Sequence, residues 1–191
     1  MKYSFLTHVA VAAMLAIIST AGNMKAAGPD TGNAAAYCEQ SGGKVIDRAP
    51  MYGTNGPPSS WLRLTGTRQF CQFTSKQDGS RIHVLLETLY AVTPTLAALA
   101  YYAKPPANPP GPGNPASYYC TQLGGSDLFG GVNAAGGGWY GRGSQDSVLE
   151  ACIFPDMSSI DSWCLTYNSA SIIRGIDLTT VLRYTPPAAA H

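Results

Sequence analysis

Two copies of one pattern, displaced by about eighty residues, constrain the fold of this chain more than any other feature of its sequence. Each copy begins with a tyrosine-cysteine pair, Tyr37-Cys38 or Tyr119-Cys120, and reaches a glycine pair, Gly42-Gly43 or Gly124-Gly125. A stretch rich in glycine, proline and serine follows, which contains one tryptophan, and a further cysteine comes after it. Because these landmarks keep the same order, we interpret the chain as two homologous units.

The repeat also predicts where the chain is divided. The first unit spans 30–106 and the second spans 114–187, with a tail at 188–191. The segment between the units, 107–113, consists of proline, glycine, alanine and asparagine. Proline neither continues a helix nor donates a hydrogen bond within a central strand, so we expect this segment to be a semi-stiff linker.

Local signals within each unit predict a helix, short strands and a second helix. Asn33 and Asn114 are candidate N-caps of the first helix, and the glycine pairs are its stop signals. Short hydrophobic runs at 45–46, 70–73 and 148–154 are bounded by turn formers and predict paired strands. The spacing i, i+3, i+4, i+7 predicts an amphipathic second helix at Ile82, Leu85, Leu86 and Leu89.

A third short helix is predicted at 96–102 and again at 178–184, with Thr95 and Asp177 as its caps. The predicted fold class is therefore α+β. We expect two tandem small disulfide-stapled units, each made of a helix, short antiparallel strands and a helix.

The cysteines predict how the units are held together. Cys38 and Cys71 are 33 positions apart, and Cys120 and Cys152 are 32 apart, so the same bridge can form in each unit. Closing a loop of that length stabilises a small unit by roughly 3 to 4 kcal/mol. Cys164 is left over and takes the place of Leu86 in the repeat. We interpret it as a buried thiol, with a reactive thiol or an intermolecular bridge as the alternatives.

The first residues have the order of a secretory signal peptide. Lys2 precedes an apolar run from Val9 to Ile18, and small residues follow up to Ala21. We predict a signal peptide at 1–21, with cleavage as late as Ala27 as the alternative. The apolar run is about ten residues long, whereas a membrane-spanning helix needs about twenty. We expect a periplasmic or secreted protein with neither a transmembrane anchor nor a lipid anchor.

Composition excludes one class of partner. Charged residues make up 12% of the chain, and the formal net charge is +1. Such a chain has no basic stripe that could neutralise phosphates and no polybasic patch for a membrane surface. We therefore expect no nucleic-acid partner.

The second unit resembles a known family in its motifs. Asn114-Pro-Ala-Ser-Tyr-Tyr-Cys120, Gly124-Gly125, Cys152-Ile-Phe-Pro-Asp156 and Trp163 are similar to a small cysteine-containing bacterial envelope domain of unknown function. That domain occurs in exported proteins labelled as haemolysins. Met157 stands where the family has glycine, and Ile160 stands where it has cysteine. The resemblance implies an exported α+β module and brings no established catalytic residue.

No motif predicts catalysis or a cofactor. His83 is the one histidine between the predicted signal peptide and the C-terminal His191, and we place it on the solvated side of the predicted second helix. We assign no catalytic residue, no metal and no cofactor. Four carboxylates could form a glycosidase pair if the fold brought two of them together, namely Asp146, Glu150, Asp156 and Asp161.

Aromatic residues in the glycine-rich stretches are the candidate ligand-binding residues. In the second unit these are Trp139, Tyr140 and Arg142, which we expect on an exposed loop, and in the first unit they are Tyr52, Trp61 and Arg63. The alternative is that both tryptophans fold back onto a small core. Trp163 has helical spacing to Ile160 and Tyr167, and we expect it to be buried in the core.

These observations favour an exported, non-enzymatic binding module whose ligand is an unknown protein or glycan. The first alternative is a secreted inhibitor or toxin-like effector that acts on proteins or membranes. The second is a carboxylate-dependent cell-wall hydrolase.

The leader gives a direct test. We expect mass spectrometry of the exported protein to show cleavage near Ala21 to Ala27 and no acyl chain, because no cysteine precedes Cys38 to accept a lipid. A retained leader or an acylated species would contradict this prediction.

Overall fold

The computed structural model describes residues 31–109, 113–127, 135–143 and 146–187. The predicted signal peptide and tail lie outside these residues. The helices are α1 (Thr31–Gln40), α2 (Leu86–Tyr90), α3 (Leu96–Ala103), α4 (Pro115–Gln122) and α5 (Ser162–Ser169). The strands are β1 (Lys44–Tyr52), β2 (Leu62–Arg63), β3 (Arg68–Thr74), β4 (Arg81–Leu85), β5 (Gly137–Tyr140), β6 (Val148–Leu149), β7 (Ala151–Ile153) and β8 (Ser159–Asp161). Short 3₁₀ turns lie at Pro58–Ser60 and Leu178–Thr180.

The helices α1 and α4 begin the two halves of the chain. The Asn114 side chain accepts a hydrogen bond from the Ala116 amide at 2.9 Å, and Pro115 occupies the first helical position, so this predicted cap is confirmed. Asn33 lies inside α1, which begins at Thr31, so the prediction of a cap there is wrong.

Both predicted disulfides are confirmed. Cys38 is bonded to Cys71 and Cys120 to Cys152, with Cα–Cα distances of 5.8 and 5.5 Å. Each bridge joins the first helix of its half to the sheet, at β3 in one half and at β7 in the other. The helices are thereby held against the strands by equivalent covalent links.

The two glycine pairs have the same two roles. Gly42 and Gly124 end their helices with φ of +84° and +83°, in the left-handed region that favours glycine. The second glycine of each pair, Gly43 or Gly125, lies directly against the disulfide, and a Cβ there would overlap a cysteine sulfur. The first glycine therefore allows the turn at the end of the helix, and the second allows the backbone to pack against the disulfide.

All eight strands form one antiparallel sheet. The order is β6-β5-β1-β3-β4-β8-β7, with β2 paired to the far end of β1. The first and last strands of this order, β6 and β7, are separated in the chain by the single residue Glu150. The sheet therefore nearly closes on itself and is barrel-like.

This topology corrects the predicted fold class. Strands of the two halves pair with each other, β1 with β5 and β4 with β8, so the chain does not form two tandem helix-strand-helix units. The strands predicted at 45–46, 70–73 and 148–154 do form. What the local pattern could not reveal is that the edges of one half are completed by the other half.

Strand register relates the two halves by an approximate two-fold axis. The bridged cysteines Cys71 and Cys152 occupy equivalent places, and they pair with Val84 and Ile160 respectively. Val84 and Ile160 in turn pair with each other. The axis therefore passes between these two paired residues.

The second pairing between the halves obeys the same axis. Arg48 pairs with the residue three positions before the bridged cysteine of β3. Trp139 pairs with the residue three positions before the bridged cysteine of β7. Arg48 and Trp139 are therefore equivalent positions in the two halves. The residues that follow them, Ala49 and Tyr140, pair with each other. Equivalent positions on the inner face of the sheet can therefore be compared directly.

The predicted amphipathic helix at 82–89 is wrong in its first half. Residues Arg81–Leu85 form β4, and α2 begins only at Leu86. Strand β4 is buried on both faces, because Ile82 and Val84 face the helices while His83 and Leu85 face inward. Apolar residues therefore occur on both faces of this segment, and the spacing of Ile82, Leu85, Leu86 and Leu89 imitates a helix.

The third predicted helix forms in only one half. Helix α3 is capped by Thr95, whose side chain accepts from the Ala98 amide at 3.3 Å, as predicted. At 178–184 only the 3₁₀ turn forms, although Asp177 caps it by accepting from the Thr179 amide at 2.9 Å. Among the described residues, no helix is long and apolar enough to cross a membrane.

Two apolar clusters lie on opposite faces of the sheet. The outer cluster is large and packs the helices and both disulfides onto the strands. The inner cluster contains only strand residues, which come from both halves: Phe70, Leu85, Trp139, Leu149 and Ala151. The inner core thus requires both halves of the chain.

The glycine pairs yield a prediction about packing. Gly43→Ala should lower the free energy of unfolding by about 2–3 kcal/mol, because the new Cβ overpacks the disulfide. Gly42→Ala has open space and should lose only about 1 kcal/mol through its left-handed backbone. Urea denaturation measures both losses. Removing the bridge with Cys38→Ala and Cys71→Ala should reduce the difference between them, because only the Phe73 ring then lies close to the new Cβ, and an unchanged difference would contradict this account.

Candidate functional site

The two ends of the inner face differ in chemistry. Three inner positions of one end are polar, and their equivalents at the other end are small or apolar: Arg48 against Trp139, His83 against Ser159, and Asp161 against Leu85. At the apolar end the packing leaves a cavity of only about 10 Å³. At the polar end the inner face opens into a large cleft.

Arg48 is the centre of the polar end. Its side chain is 0% exposed. One guanidinium nitrogen, Nη1, donates to the main-chain oxygens of Trp139 at 2.9 Å and Asp146 at 2.8 Å. Burial lowers the pKa of Arg48 to about 10, although the carboxylates of Asp146 and Asp161 act in the opposite direction. The group therefore stays charged at neutral pH, and it ties β1 to β5 and to the segment before β6.

His83 lies beside Arg48 and is also buried, at 1% exposure. Its Nε2 is 3.0 Å from Nη2 of Arg48, and its Nδ1 is 3.4 Å from a carboxylate oxygen of Asp161. Nε2 also lies 3.1 Å from Oε1 of Gln72, so the ring is held between Arg48, Gln72 and Asp161. The expectation that His83 is a solvated surface residue is wrong, since it lies on an inward-facing position of β4.

Arg81 and Asp146 link this network to the cleft. Nη2 of Arg81 donates to Oδ1 of Asp146 at 2.8 Å, and Nε of Arg81 donates to Oδ2, so the pair is bidentate. This hydrogen bonding holds the pKa of Asp146 below its usual value, against the effect of burial. Asp146 is thus a fixed, ionised acceptor at neutral pH.

The cleft has a volume of about 620 Å³. Helix α5 contributes Trp163 and Tyr167 to its lining, and the loop after β1 contributes Thr54 and Asn55. Arg81, Asp146 and Asp161 line it where it meets the buried network. A second polar pair, in which Nδ2 of Asn114 donates to Glu150 at 2.7 Å, also lines it.

An aromatic pair is presented at this cleft. Trp163 and Tyr167 are 38% and 37% exposed, and their ring centroids are 6.2 Å apart. They are one helical turn apart on α5, so both face the same side. The prediction that Trp163 is core is wrong, because the strand and helix around it present Ile160, Cys164 and Leu165 to the outer cluster instead.

Cys164 is the buried, unbridged cysteine that the sequence predicted. Its sulfur donates to the main-chain oxygen of Arg81 at 3.2 Å, and burial raises the pKa of the thiol well above its usual value. The thiol is therefore protonated and unreactive at neutral pH. Its equivalent is Thr88 rather than Leu86, since Thr88 likewise contacts the opposite half by accepting from the Ser159 amide at 2.9 Å.

The predicted binding residues separate into two groups. Trp139 belongs to β5 and is buried against Phe70, with ring centroids 5.7 Å apart, so the expectation of an exposed loop is wrong for it. The alternative, folding onto a core, holds at this position. The others remain at the surface: Tyr52, Trp61, Arg63, Tyr140 and Arg142.

Two of these surface residues come together. The rings of Trp61 and Tyr140 meet edge to face at 5.6 Å, and the indole nitrogen of Trp61 donates to Gly56. Arg63 donates to Thr67 at 3.2 Å. None of these residues lines the cleft, and their role in binding stays a prediction.

Three of the four candidate carboxylates, Asp146, Glu150 and Asp161, line the cleft. Asp156 does not, because it accepts from the Leu96 amide at 2.7 Å at the start of α3. Within the part of the chain that the structure describes, no cluster of three metal-ligating side chains occurs.

The sequence contains a weak signal for two residues that were missed. Arg48 is two positions after Ile46, and His83 is two positions before Leu85, so alternation in a strand places each on the same face as an apolar residue. Arg174, which also lines the cleft, carries no such signal.

Comparison of the chain with family models, curated proteins and solved structures finds no match. The resemblance of the second unit to a haemolysin-labelled envelope domain therefore stays a prediction.

Because Trp139 is buried and Trp163 is partly exposed, their replacement by alanine should affect the free energy of unfolding in the opposite order from the one that the sequence suggests. Trp139→Ala should lower the free energy of unfolding by about 3–5 kcal/mol, because it empties the inner core. Trp163→Ala should lower it by about 1 kcal/mol or less, since the ring is partly solvated. Chemical denaturation followed by circular dichroism measures both. Trp139→Phe keeps most of the buried volume and is the matched control; equal losses for the two alanine variants would contradict the burial described.

Proposed function

We propose that this protein is an exported, non-enzymatic module that binds a saccharide in the polar cleft. The observation that carries the proposal is the exposed pair Trp163 and Tyr167, which stands beside polar side chains whose positions are already fixed. Aromatic faces stack on the apolar faces of sugar rings at little conformational cost, and preset polar groups pair with the hydroxyls around those rings.

Preorganisation of the polar groups supports this assignment. Arg81 and Asp146 hold each other in a bidentate pair, and Asn114 holds Glu150. Side chains that are already ordered lose little entropy when a ligand arrives. Carboxylates and amides in fixed positions also supply several acceptors and donors, which is what a polyhydroxylated ligand requires.

Asymmetry of the inner face points to the same cleft. The equivalent end is filled by Trp139, Phe70 and Leu85 and leaves only a small cavity, so the approximate symmetry of the framework does not by itself require a cleft. Arg48 replaces a tryptophan of equivalent position and keeps the other end polar. A charged group buried where the equivalent position holds an apolar side chain is better explained by a site than by stability.

Two observations favour binding over hydrolysis. A glycosidase general acid needs a raised pKa, whereas the Arg81 hydrogen bond holds the pKa of Asp146 below its usual value. His83 is buried behind this pair, where it cannot reach a ligand directly.

Export is supported by covalent structure. Two disulfides persist in oxidising compartments such as the bacterial periplasm or the extracellular space and are rare in the cytosol. The signal-peptide pattern and the resemblance to envelope proteins agree with this location.

Titration calorimetry with neutral and carboxylated oligosaccharides tests the proposal. Trp163→Ala should weaken binding of at least one saccharide about tenfold, because a central aromatic contact is lost. Tyr118→Ala, which removes a similarly exposed aromatic residue outside the cleft, is the matched control and should bind normally. Binding that does not depend on Trp163 contradicts the proposed site.

The same protein preparation separates the alternatives. Product formation from the oligosaccharides would support the hydrolase, and dye leakage from liposomes would support the effector. Either result would overturn the proposal of a non-enzymatic saccharide-binding module.

A further inference from the structure

Arg174 differs from the other charged groups of the cleft. Arg81 is paired with Asp146, Glu150 accepts from Asn114, and Asp161 accepts from the Cys164 amide at 3.0 Å. Among the described residues, no carboxylate lies within ion-pair distance of Arg174. Its guanidinium interacts at longer range with Asp78, which does not line the cleft, so within the cleft this half-buried cation has no carboxylate in contact with it.

The backbone holds Arg174 in place. The next residue, Gly175, has φ of +69°, and its amide donates to the Ser80 side chain at 2.9 Å. A Cβ on Gly175 would lie 2.7 Å from the Ile82 amide nitrogen and from the Phe73 oxygen, so the segment rests directly on β3 and β4. The position of Arg174 is therefore determined by close backbone packing.

Arg174 also adjoins the aromatic pair. Its guanidinium carbon lies 5.3 Å from the centre of the Tyr167 ring, and Tyr167 contacts Trp163. The three side chains form a row of cation, phenol ring and indole ring along one wall of the cleft. A ligand of more than one sugar ring that stacks on the indole can therefore extend along this wall to the guanidinium.

We propose that Arg174 binds an anionic group of the ligand, and that the saccharide is acidic, bearing a carboxylate of the uronic-acid type. This inference rests on the proposed function. A carboxylate matches the planar fork of an arginine and accepts two hydrogen bonds from it. Among the acidic residues of the cleft, Asp146 is offset by Arg81 and, behind it, by Arg48, which also interacts with Asp161. Glu150 accepts a hydrogen bond from Asn114.

Matched ligands isolate the charge. Trigalacturonate and its fully methyl-esterified form share one skeleton, so their affinities differ through the carboxylates. The wild-type protein should bind the acid about tenfold more tightly than the ester at low salt, and added salt should reduce this preference.

Arginine variants locate the charge effect. Arg174→Gln should abolish the preference while leaving the affinity for the ester unchanged, and Arg174→Lys should retain part of it. Arg183→Gln is the matched control, because Arg183 also stacks on a tyrosine, 4.1 Å from the Tyr90 ring, but does not line the cleft. Thermal unfolding of each variant confirms that it folds.

The outcomes separate this inference from the proposed function. If acid and ester bind equally and both depend on Trp163, the saccharide site stands and the assignment of Arg174 is overturned. A preference for the acid that survives Arg174→Gln overturns it as well. If neither ligand nor any neutral oligosaccharide binds, both proposals fail.

Discussion

Hydrogen bonding between the two halves of the chain is the interaction on which the rest of the structure depends. In the first half β1, β3 and β4 pair with one another, and two strand edges would be left with unpaired amides and carbonyls. Pairing with β5 and β8 of the second half satisfies them. Since Glu150 alone separates β6 from β7, the sheet turns almost fully around its own inner core, and neither half contains that core alone.

This arrangement makes a symmetric framework that carries an asymmetric site. Main-chain pairing, disulfides and glycine pairs repeat in both halves, whereas the inner side chains do not. Trp139 fills one end, and Arg48 occupies the equivalent position at the other. A buried guanidinium must find acceptors, so Arg48 bonds the main chain of β5 and of Asp146. Those bonds hold the Arg81–Asp146 pair at the boundary between the buried network and the cleft.

The site could be predicted only in part, because two of its residues lie on strands buried on both faces. His83 and the residues around it have helical spacing by coincidence, and that pattern assigned His83 to a solvated helix face. The burial of Trp139 and the exposure of Trp163 were predicted the wrong way round for a related reason. The glycines around Trp139 suggest an exposed loop, but they allow close strand pairing, while α5 uses Cys164 and Leu165 for its buried side.

By itself the sequence determined the features that depend on neighbours in the chain or on equal spacing. These are the caps of Asn114, Thr95 and Asp177, the glycine helix ends and both disulfides. Only the tertiary structure decided that the halves share one sheet, that Arg48 and His83 face inward, and that Arg174 reaches the aromatic pair on α5. The reason is physical: caps and turns are satisfied by groups a few residues away, whereas strand edges and cleft walls are completed by segments that lie far apart in the chain.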